Sequence, residues 1–199
     1  EKTLRDFRRS GVAADEPTRA RVKEIRDRLT VLGQTFARTI REGTRSIKVR
    51  PYQLEGLPAD WVEAHPPGED GLVTVTTDYP DATPFRTFAH DADARRELVV
   101  AQLTIGFPDN VEVLREIFGL RAELATLLGY DNWPDFDAEV KMIGTGDAIG
   151  EFIDKIADAA YESGVRDRGV LLERMRQDIP EAEEITGVDS TFYEEVVRR

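Results

Sequence analysis

One stretch decides the fold of this chain: NVEVLREIFGLRAELATLLGYDNWPDFDAEVKMI, from Asn110 to Ile143. In its first part, apolar residues recur at spacings of three and four, which places them along one face of a helix. They are Leu114, Ile117, Leu120, Leu124, Leu127 and Leu128. Asp109 or Asn110 can cap the start of this helix, and Gly129 stands where a left-handed residue closes one.

The second part of the stretch predicts another helix after a tight turn. Asp131 or Asn132 can open it, and Pro134 falls in the first turn, where a missing N–H costs nothing. The apolar face continues through Phe136, Val140 and Ile143. We therefore predict two consecutive helices with both inner faces committed to a core.

Composition limits the classes of function that fit this chain. It has 199 residues, of which 40% are hydrophobic, enough for a folded core. The 39 acidic residues outnumber the 27 basic ones and give a formal net charge of −12, so the basic footprint of a nucleic-acid-binding protein is missing. The sequence has no Cys, which excludes disulfides and thiol nucleophiles, and no apolar run of membrane-spanning length. We expect no nucleic-acid partner, no membrane partner and a cytoplasmic location.

Upstream of this stretch, the sequence predicts one long helix, opened by Asp15-Glu16-Pro17-Thr18 and ended near Gly43. Its apolar positions form a near-heptad stripe: Val22, Ile25, Leu29, Leu32, Phe36 and Ile40. Such a stripe fits either a coiled-coil arm for a partner or a helix packed on its own domain. The stripe spans barely three heptads, which do not establish a coiled coil, so the packed helix is favoured.

Two short alternating segments predict a small antiparallel β-ribbon. Arg45–Arg50 (RSIKVR) is the weaker strand, and Leu72–Thr77 (LVTVTT) is β-branched and the best strand in the chain. A short helix over Leu57–Val62 lies between them, and Pro84–Phe88 is expected to be a third extended piece. We place the ribbon insertion at about 45–88.

The remaining segments predict further amphipathic helices. Asp91 caps one that runs to about Ile105 with Leu98, Val99 and Leu103 inward, and Asp147 caps the next. Two apolar stripes follow before Pro180: Ile149, Phe152, Ile153, Ile156 and Ala160, and then Leu171, Leu172 and Met175. Asp189 or Ser190 opens the last helix, and all of these stripes are expected to pack on one another.

The organisation of the chain is expected to be one helical domain over residues 1–199, because no linker or composition shift divides it. The chain starts without Met in what reads as the end of a helix, with Leu4 and Phe7 apolar and Gly11 as the stop. It ends in a helix that has no stop signal. We therefore expect a fragment of a longer polypeptide that exposes an apolar patch where the rest packs.

The residue types that support catalysis do not form a recognisable site. His65 and His90 are the only imidazoles, and their separation of 25 residues does not match the spacing of H-E-x-x-H, so both are predicted to be surface histidines. Gly144-Thr145-Gly146 with Gly150 misses the dinucleotide fingerprint by one place. Asp135, Asp137 and Glu139 alternate like a calcium loop, but Val140 replaces the required Gly. We predict no catalytic, cofactor-binding or metal-binding residue in this chain.

Several phrases, in their order, resemble the amino-terminal portion of the thimet oligopeptidase and oligopeptidase A (neurolysin-like) family of zinc metallopeptidases. The most specific is L-R-x-E-L-A-x-L-L-G-Y-x-N-W at Leu120–Trp133, followed by Lys141-Met142. Weaker ones also occur in the family's order: LRDFRRSGV at Leu4–Val12, EGLPADWV at Glu55–Val62, TTDYPDATPF at Thr76–Phe85 and ARREL at Ala94–Leu98. After ARREL this chain has Thr104-Ile105-Gly106, where relatives often show a basic residue, so no substrate contact is carried over there.

The resemblance implies a mainly α-helical fold, a multi-helix bundle of helix-turn-helix units with a small antiparallel β-ribbon. It also implies a parent zinc metalloendopeptidase that hydrolyses short peptides in a narrow channel, with zinc held by an H-E-x-x-H helix and a further Glu that this chain lacks. The partners implied are short peptides and the catalytic remainder of the same polypeptide. The chain itself is expected to be a non-catalytic, channel-shaping part that binds no cofactor and is inactive alone. The alternative is a free-standing acidic helical protein-interaction module.

Overall fold

The computed structural model describes residues 2–199, and within them the fold is mainly α-helical, as predicted. The helices are α1 Lys2–Arg9, α2 Glu16–Glu42, α3 Ala59–Ala64, α4 Tyr79–Phe88, α5 Ala92–Leu103, α6 Asn110–Leu127, α7 Trp133–Ala138, α8 Gly146–Asp178 and α9 Ser190–Arg198. A 3-10 turn spans Pro51–Leu54. The strands are β1 Ser46–Val49 and β2 Val73–Thr76, which form a two-stranded antiparallel sheet.

The described residues divide into two compact units. The first takes the chain up to Arg41 together with Gly106–Ala159, and the second takes Glu42–Ile105 and Ala160–Arg199. The predicted assignment of one helical domain with a ribbon insertion at about 45–88 stays a prediction. Within residues 2–199, no helix is long and apolar enough to cross a membrane.

The core of the first unit forms between α2 and α6. Val22 and Ile25 on α2 are buried against Leu124 on α6, and partly buried leucines and Trp133 surround them. Two exposed ion pairs border this core: Arg21 bonds Glu123 at 2.6 Å, and Arg28 bonds Glu116 at 2.5 Å. Because the higher-numbered arginine meets the lower-numbered glutamate, the two helices run antiparallel.

The turn between α6 and α7 follows the sequence prediction closely. Gly129 has a φ of +81°, and the next amide, of Tyr130, donates to the Ala125 carbonyl at 3.0 Å. The Asn132 side chain accepts from the Asp135 amide at 2.8 Å and so caps α7. At the other end of α6, the Asp109 side chain makes no capping hydrogen bond.

The predicted apolar face of α7 is too long. The helix ends at Ala138, and a turn follows in which the Lys141 amide donates to the Ala138 carbonyl. Phe136 is buried, but Val140 lies in this turn and is exposed. The periodicity continued in the sequence after the helix had ended.

The core of the second unit lies on one face of the ribbon. Ile47 pairs with Val75 and Val49 with Val73, so the alternation predicted for the two strands is confirmed. All four side chains are buried and pack with Phe85 of α4 and Leu98 of α5. Trp61 of α3 completes this core.

The predicted third extended piece at Pro84–Phe88 is wrong, because these residues lie in α4. Pro84 removes one helical hydrogen bond, which normally disfavours a helix interior. In this helix Ala82 and Phe85 are fully buried, and that burial outweighs the loss. Leu103 was also expected to point inward but is exposed at the last residue of α5.

The expectation that every apolar stripe packs internally is wrong for α8 and α1. The helix α8 begins at Gly146, one residue before the predicted Asp147 cap, and continues for 33 residues. Its second half packs through Met175 with Ile185 and Tyr193. In its first half Phe152, Ile153 and Ile156 are exposed, as are Leu4 and Phe7 of α1.

Candidate functional site

His65, expected on the surface, is half-buried and has protein partners at both ring nitrogens. Its ring stacks on Trp61 with centroids 3.8 Å apart. Nδ1 lies 2.7 Å from the Trp61 carbonyl oxygen, and Nε2 lies 3.1 Å from Oδ1 of Asp81. The Nδ1 contact stays within the end of α3 and the Nε2 contact joins α3 to α4, so no ring nitrogen is left for a metal or a substrate.

Asp81 accepts the hydrogen bonds that join α4 to its neighbours. Burial alone would raise its pKa, but hydrogen bonds from the Thr76 hydroxyl, the Thr76 amide and His65 outweigh burial and lower the pKa below its usual value. The ionised carboxylate thus ties the end of β2 to α4.

The acidic residues that alternate after Pro134 are also used structurally. Asp135 accepts from the Gly146 amide at 2.8 Å, and Asp137 pairs with Lys141. Glu139 accepts from the Tyr130 hydroxyl and from Arg9, which together lower the pKa of its carboxyl. These carboxylates do not face a common point.

Residues 2–199 contain no group of three or more His, Cys, Asp or Glu side chains placed to hold a metal ion. Zinc needs three or four such ligands at tetrahedral angles. The side chains described here therefore do not fit a zinc ion.

The described residues instead form a cavity of mixed polar and apolar lining, about 390 Å³ in volume, in the second unit, where the start of α5 meets the end of α8 and α9. Its floor and walls combine charged, aromatic and aliphatic side chains. They are His90, Ala92, Arg95, Arg174, Asp178, Ile179, Phe192, Tyr193 and Val196.

Arg95 forms the floor of this cavity and is only 2% exposed. Its Nη1 donates to the Ala89 carbonyl at 2.7 Å and to the His90 carbonyl at 3.1 Å. Its Nη2 donates to Oδ1 of Asp189 at 3.3 Å, and its Cζ lies 4.1 Å from the centre of the Phe192 ring. Arg95 thus joins the start of α5 to the start of α9.

The partner carboxylate is also buried. Asp189 accepts from the Thr186 hydroxyl at 2.7 Å and is 4% exposed. Burial lowers the pKa of Arg95 and Asp189 opposes that effect, but a guanidinium remains protonated in any case. The two residues therefore form a buried ion pair, held on the cation side by two carbonyls and on the anion side by a hydroxyl.

One wall carries a second charged group. Arg174 donates to Asp178 at 2.9 Å, and the Tyr193 hydroxyl lies 3.3 Å from the same carboxylate. Burial raises the pKa of Tyr193, and the charge of Asp178 raises it further. The phenol is therefore neutral at pH 7 and serves as a hydrogen-bond donor.

Chemically, this arrangement suits binding or structural support. Both arginines have carboxylate partners, and the Tyr193 hydroxyl donates to Asp178, whose charge raises the pKa of the phenol instead of activating it. Nε of Arg95 has no hydrogen-bond partner among the described residues. The sequence predicts no functional role for Arg95, which lies in the ARREL phrase. It predicts Asp189 only as a residue that can open the last helix.

Comparison with known proteins extends these observations. Residues 87–199, which include this cavity, match the sequence profile of peptidase family M3. The chain belongs to peptidase family M3.

Individual relatives from peptidase family M3 agree with this match. Saccharolysin of Saccharomyces cerevisiae is 28% identical over 97% of this chain, which covers 28% of that protein. Oligopeptidase A of Haemophilus influenzae is 29% identical over 84% of this chain and 27% of its own length. Mitochondrial intermediate peptidase of Phaeosphaeria nodorum is 28% identical over 88% of this chain and 22% of its own length. The chain therefore spans about a quarter of the length of these relatives, in their amino-terminal portion.

Proposed function

We propose that this chain is the amino-terminal, non-catalytic part of a zinc-dependent oligopeptidase that hydrolyses short peptides. The observation that carries the proposal is the family match over residues 87–199, together with relatives of which this chain spans only about a quarter. Two of the three relatives named above carry peptidase names, mitochondrial intermediate peptidase and oligopeptidase A.

Zinc in this proposal is held by residues outside the chain, because the side chains of residues 2–199 do not fit it. The metal would supply the activated water of the hydrolysis. The contribution proposed for this chain is steric: packed helices form part of the wall of a substrate channel, which limits the size of the peptides that enter. The proposed partners are accordingly short peptides and the catalytic remainder of the polypeptide, in the cytoplasm.

A peptidase assay tests the proposal that the chain is inactive alone. The purified 199-residue chain is incubated with a fluorescence-quenched peptide, with and without added zinc, and thermolysin serves as the positive control. We expect no cleavage above background under either condition. Robust cleavage that EDTA abolishes would refute the proposal, since it would require a complete metal site within this chain.

The open reading frame distinguishes this proposal from its alternative, a free-standing acidic helical interaction module. The exposed apolar residues of α8 and the net charge of −12 are the observations that favour the alternative. If the reading frame continues past Arg199 and encodes H-E-x-x-H, the oligopeptidase is supported. An immediate stop codon would support the interaction module.

A further inference from the structure

The first half of α8 carries an apolar face that is largely exposed among the described residues. Phe152, Ile153 and Ile156 are 56%, 58% and 52% exposed. With Ile149 they follow a spacing of three and four residues, so all four lie on one side of the helix. We refer to these four residues as the α8 apolar face.

The opposite side of the same helix segment is acidic. Asp154 and Asp158 lie about half a turn away from the face, and Lys155 is the only basic residue between Gly146 and Ala159. The segment therefore has the amphipathic pattern of a helix that buries one side. A helical segment of this length gains little from its own hydrogen bonds in water and needs packing to persist.

The start of α8 is held firmly, so the face has a defined position on the first unit. The Gly146 amide donates to the Asp135 carboxylate at 2.8 Å. A Cβ at position 146 would come within 2.9 Å of the Pro134 ring, which shows how closely the backbone of α8 approaches α7.

We propose that the α8 apolar face is the surface on which the catalytic remainder of the oligopeptidase docks. This inference rests on the proposed function, because it takes that remainder as the occupant. The relatives extend well beyond the share that this chain matches, 28% of saccharolysin and 27% of oligopeptidase A, so a large protein portion is available to cover the face.

The charge of the chain argues against a second copy as the occupant. Two copies paired through this face would bring together two chains with a formal charge of −12 each, and the segment itself has four acids and one lysine. Like charges of that number oppose association. A partner with an apolar centre and basic flanks complements the segment better.

Hydrogen–deuterium exchange tests this proposal in a chimera where this chain replaces the matched portion of saccharolysin. In the isolated chain, we expect amides 150–158 to exchange rapidly, because the apolar side chains of this segment are largely exposed. In the chimera, we expect their exchange to slow by about 100-fold. Ile156→Asp should remove at least about 10-fold of that protection, whereas Asp158→Asn, on the opposite side, should leave it unchanged.

The possible outcomes separate this inference from the proposed function. Equal exchange in chain and chimera, or a chimera that does not fold, would overturn the docking proposal. Sedimentation of the isolated chain as a dimer with amides 150–158 protected would also overturn it, in favour of a second copy. Peptide hydrolysis is measured separately: an active chimera with an unprotected segment refutes only the docking, and a protected but inactive one refutes only the function.

Discussion

Replacement of Arg95 by Met tests whether the buried ion pair supports the second unit. Met keeps most of the aliphatic stem but removes the guanidinium, which makes three hydrogen bonds and lies over the Phe192 ring. Ala89 is fully buried, so its carbonyl loses its donor without access to water, whereas His90 is exposed and its carbonyl can bind water instead. Asp189 keeps only the Thr186 hydroxyl.

The expected cost follows from these groups. An unsatisfied buried carbonyl costs about 1–3 kcal/mol. Loss of one member of a buried ion pair costs about 3–5 kcal/mol in total, because the other charge stays buried. We therefore expect Arg95→Met to lower the free energy of unfolding by about 3–5 kcal/mol, a large share of the 5–15 kcal/mol typical of a domain. The double variant Arg95→Met with Asp189→Asn should lose less stability than the sum of the losses in the two single variants, since the two residues act through one contact.

The assay can follow the second unit alone. The chain has two Trp residues, and only Trp61 belongs to the second unit, so urea unfolding is followed by fluorescence in a Trp133→Phe background. The matched control is Arg28→Met, which breaks an exposed ion pair with Glu116 and should change the stability measured by circular dichroism only slightly. Added salt should reduce the stability loss of the control variant Arg28→Met, because its ion pair is exposed. The stability loss of Arg95→Met should stay unchanged, because its ion pair is buried. If Arg95→Met costs no more than Arg28→Met, the buried pair does not stabilise the unit.

Three further predictions concern single positions. Gly56→Ala should destabilise the chain by more than about 2 kcal/mol in urea titration, because φ is +95° and a Cβ would lie 2.2 Å from a backbone oxygen. Gly33→Ala, in open space on α2, should instead stabilise the chain by about 0.5–1 kcal/mol. Stability changes of the same sign for both variants would contradict this reasoning. Asp81→Asn should lower stability by about 1–3 kcal/mol at pH 7. Because the pKa of Asp81 in the folded chain lies below the unfolded value of about 3.9, the stability difference between the wild type and the variant should shrink as the pH falls through the folded pKa. A difference that does not depend on pH would contradict an ionised Asp81 carboxylate. Leu124→Ala should cost about 2–5 kcal/mol, against less than about 1 kcal/mol for the exposed Phe118→Ala, and equal losses would show that Leu124 is not core.

Local sequence signals predicted several helix ends and the ribbon. Gly129 adopts a left-handed conformation, Asn132 caps α7, and Asp91 accepts from the Ala94 amide at the start of α5. Each of these features depends on residues at most five positions apart, so the local sequence contains the information needed. The strand register followed from the alternation of β-branched residues in the same way.

The failures concern burial, which depends on distant residues. Pro84 signalled an extended piece, yet burial of Phe85 against the ribbon keeps α4 helical. Val140 continued a periodic pattern after the chain had turned. The stripe of α8 was predicted as buried, but a periodic pattern indicates only that one side suits burial and not which surface covers it.

Arg95 and Asp189 show why the candidate site could not be predicted. Sequence reasoning assigns an Arg on a helix to the surface, because moving a charge out of water is costly without a partner. The partner is 94 positions away, and its residue type also fits the local role of a helix cap. At Asp189 the structure has no capping hydrogen bond from the side chain, because the carboxylate turns toward Arg95 and Thr186 instead. The competition between a local cap and a distant ion pair is decided by how deeply α9 is buried, and that depends on the whole second unit.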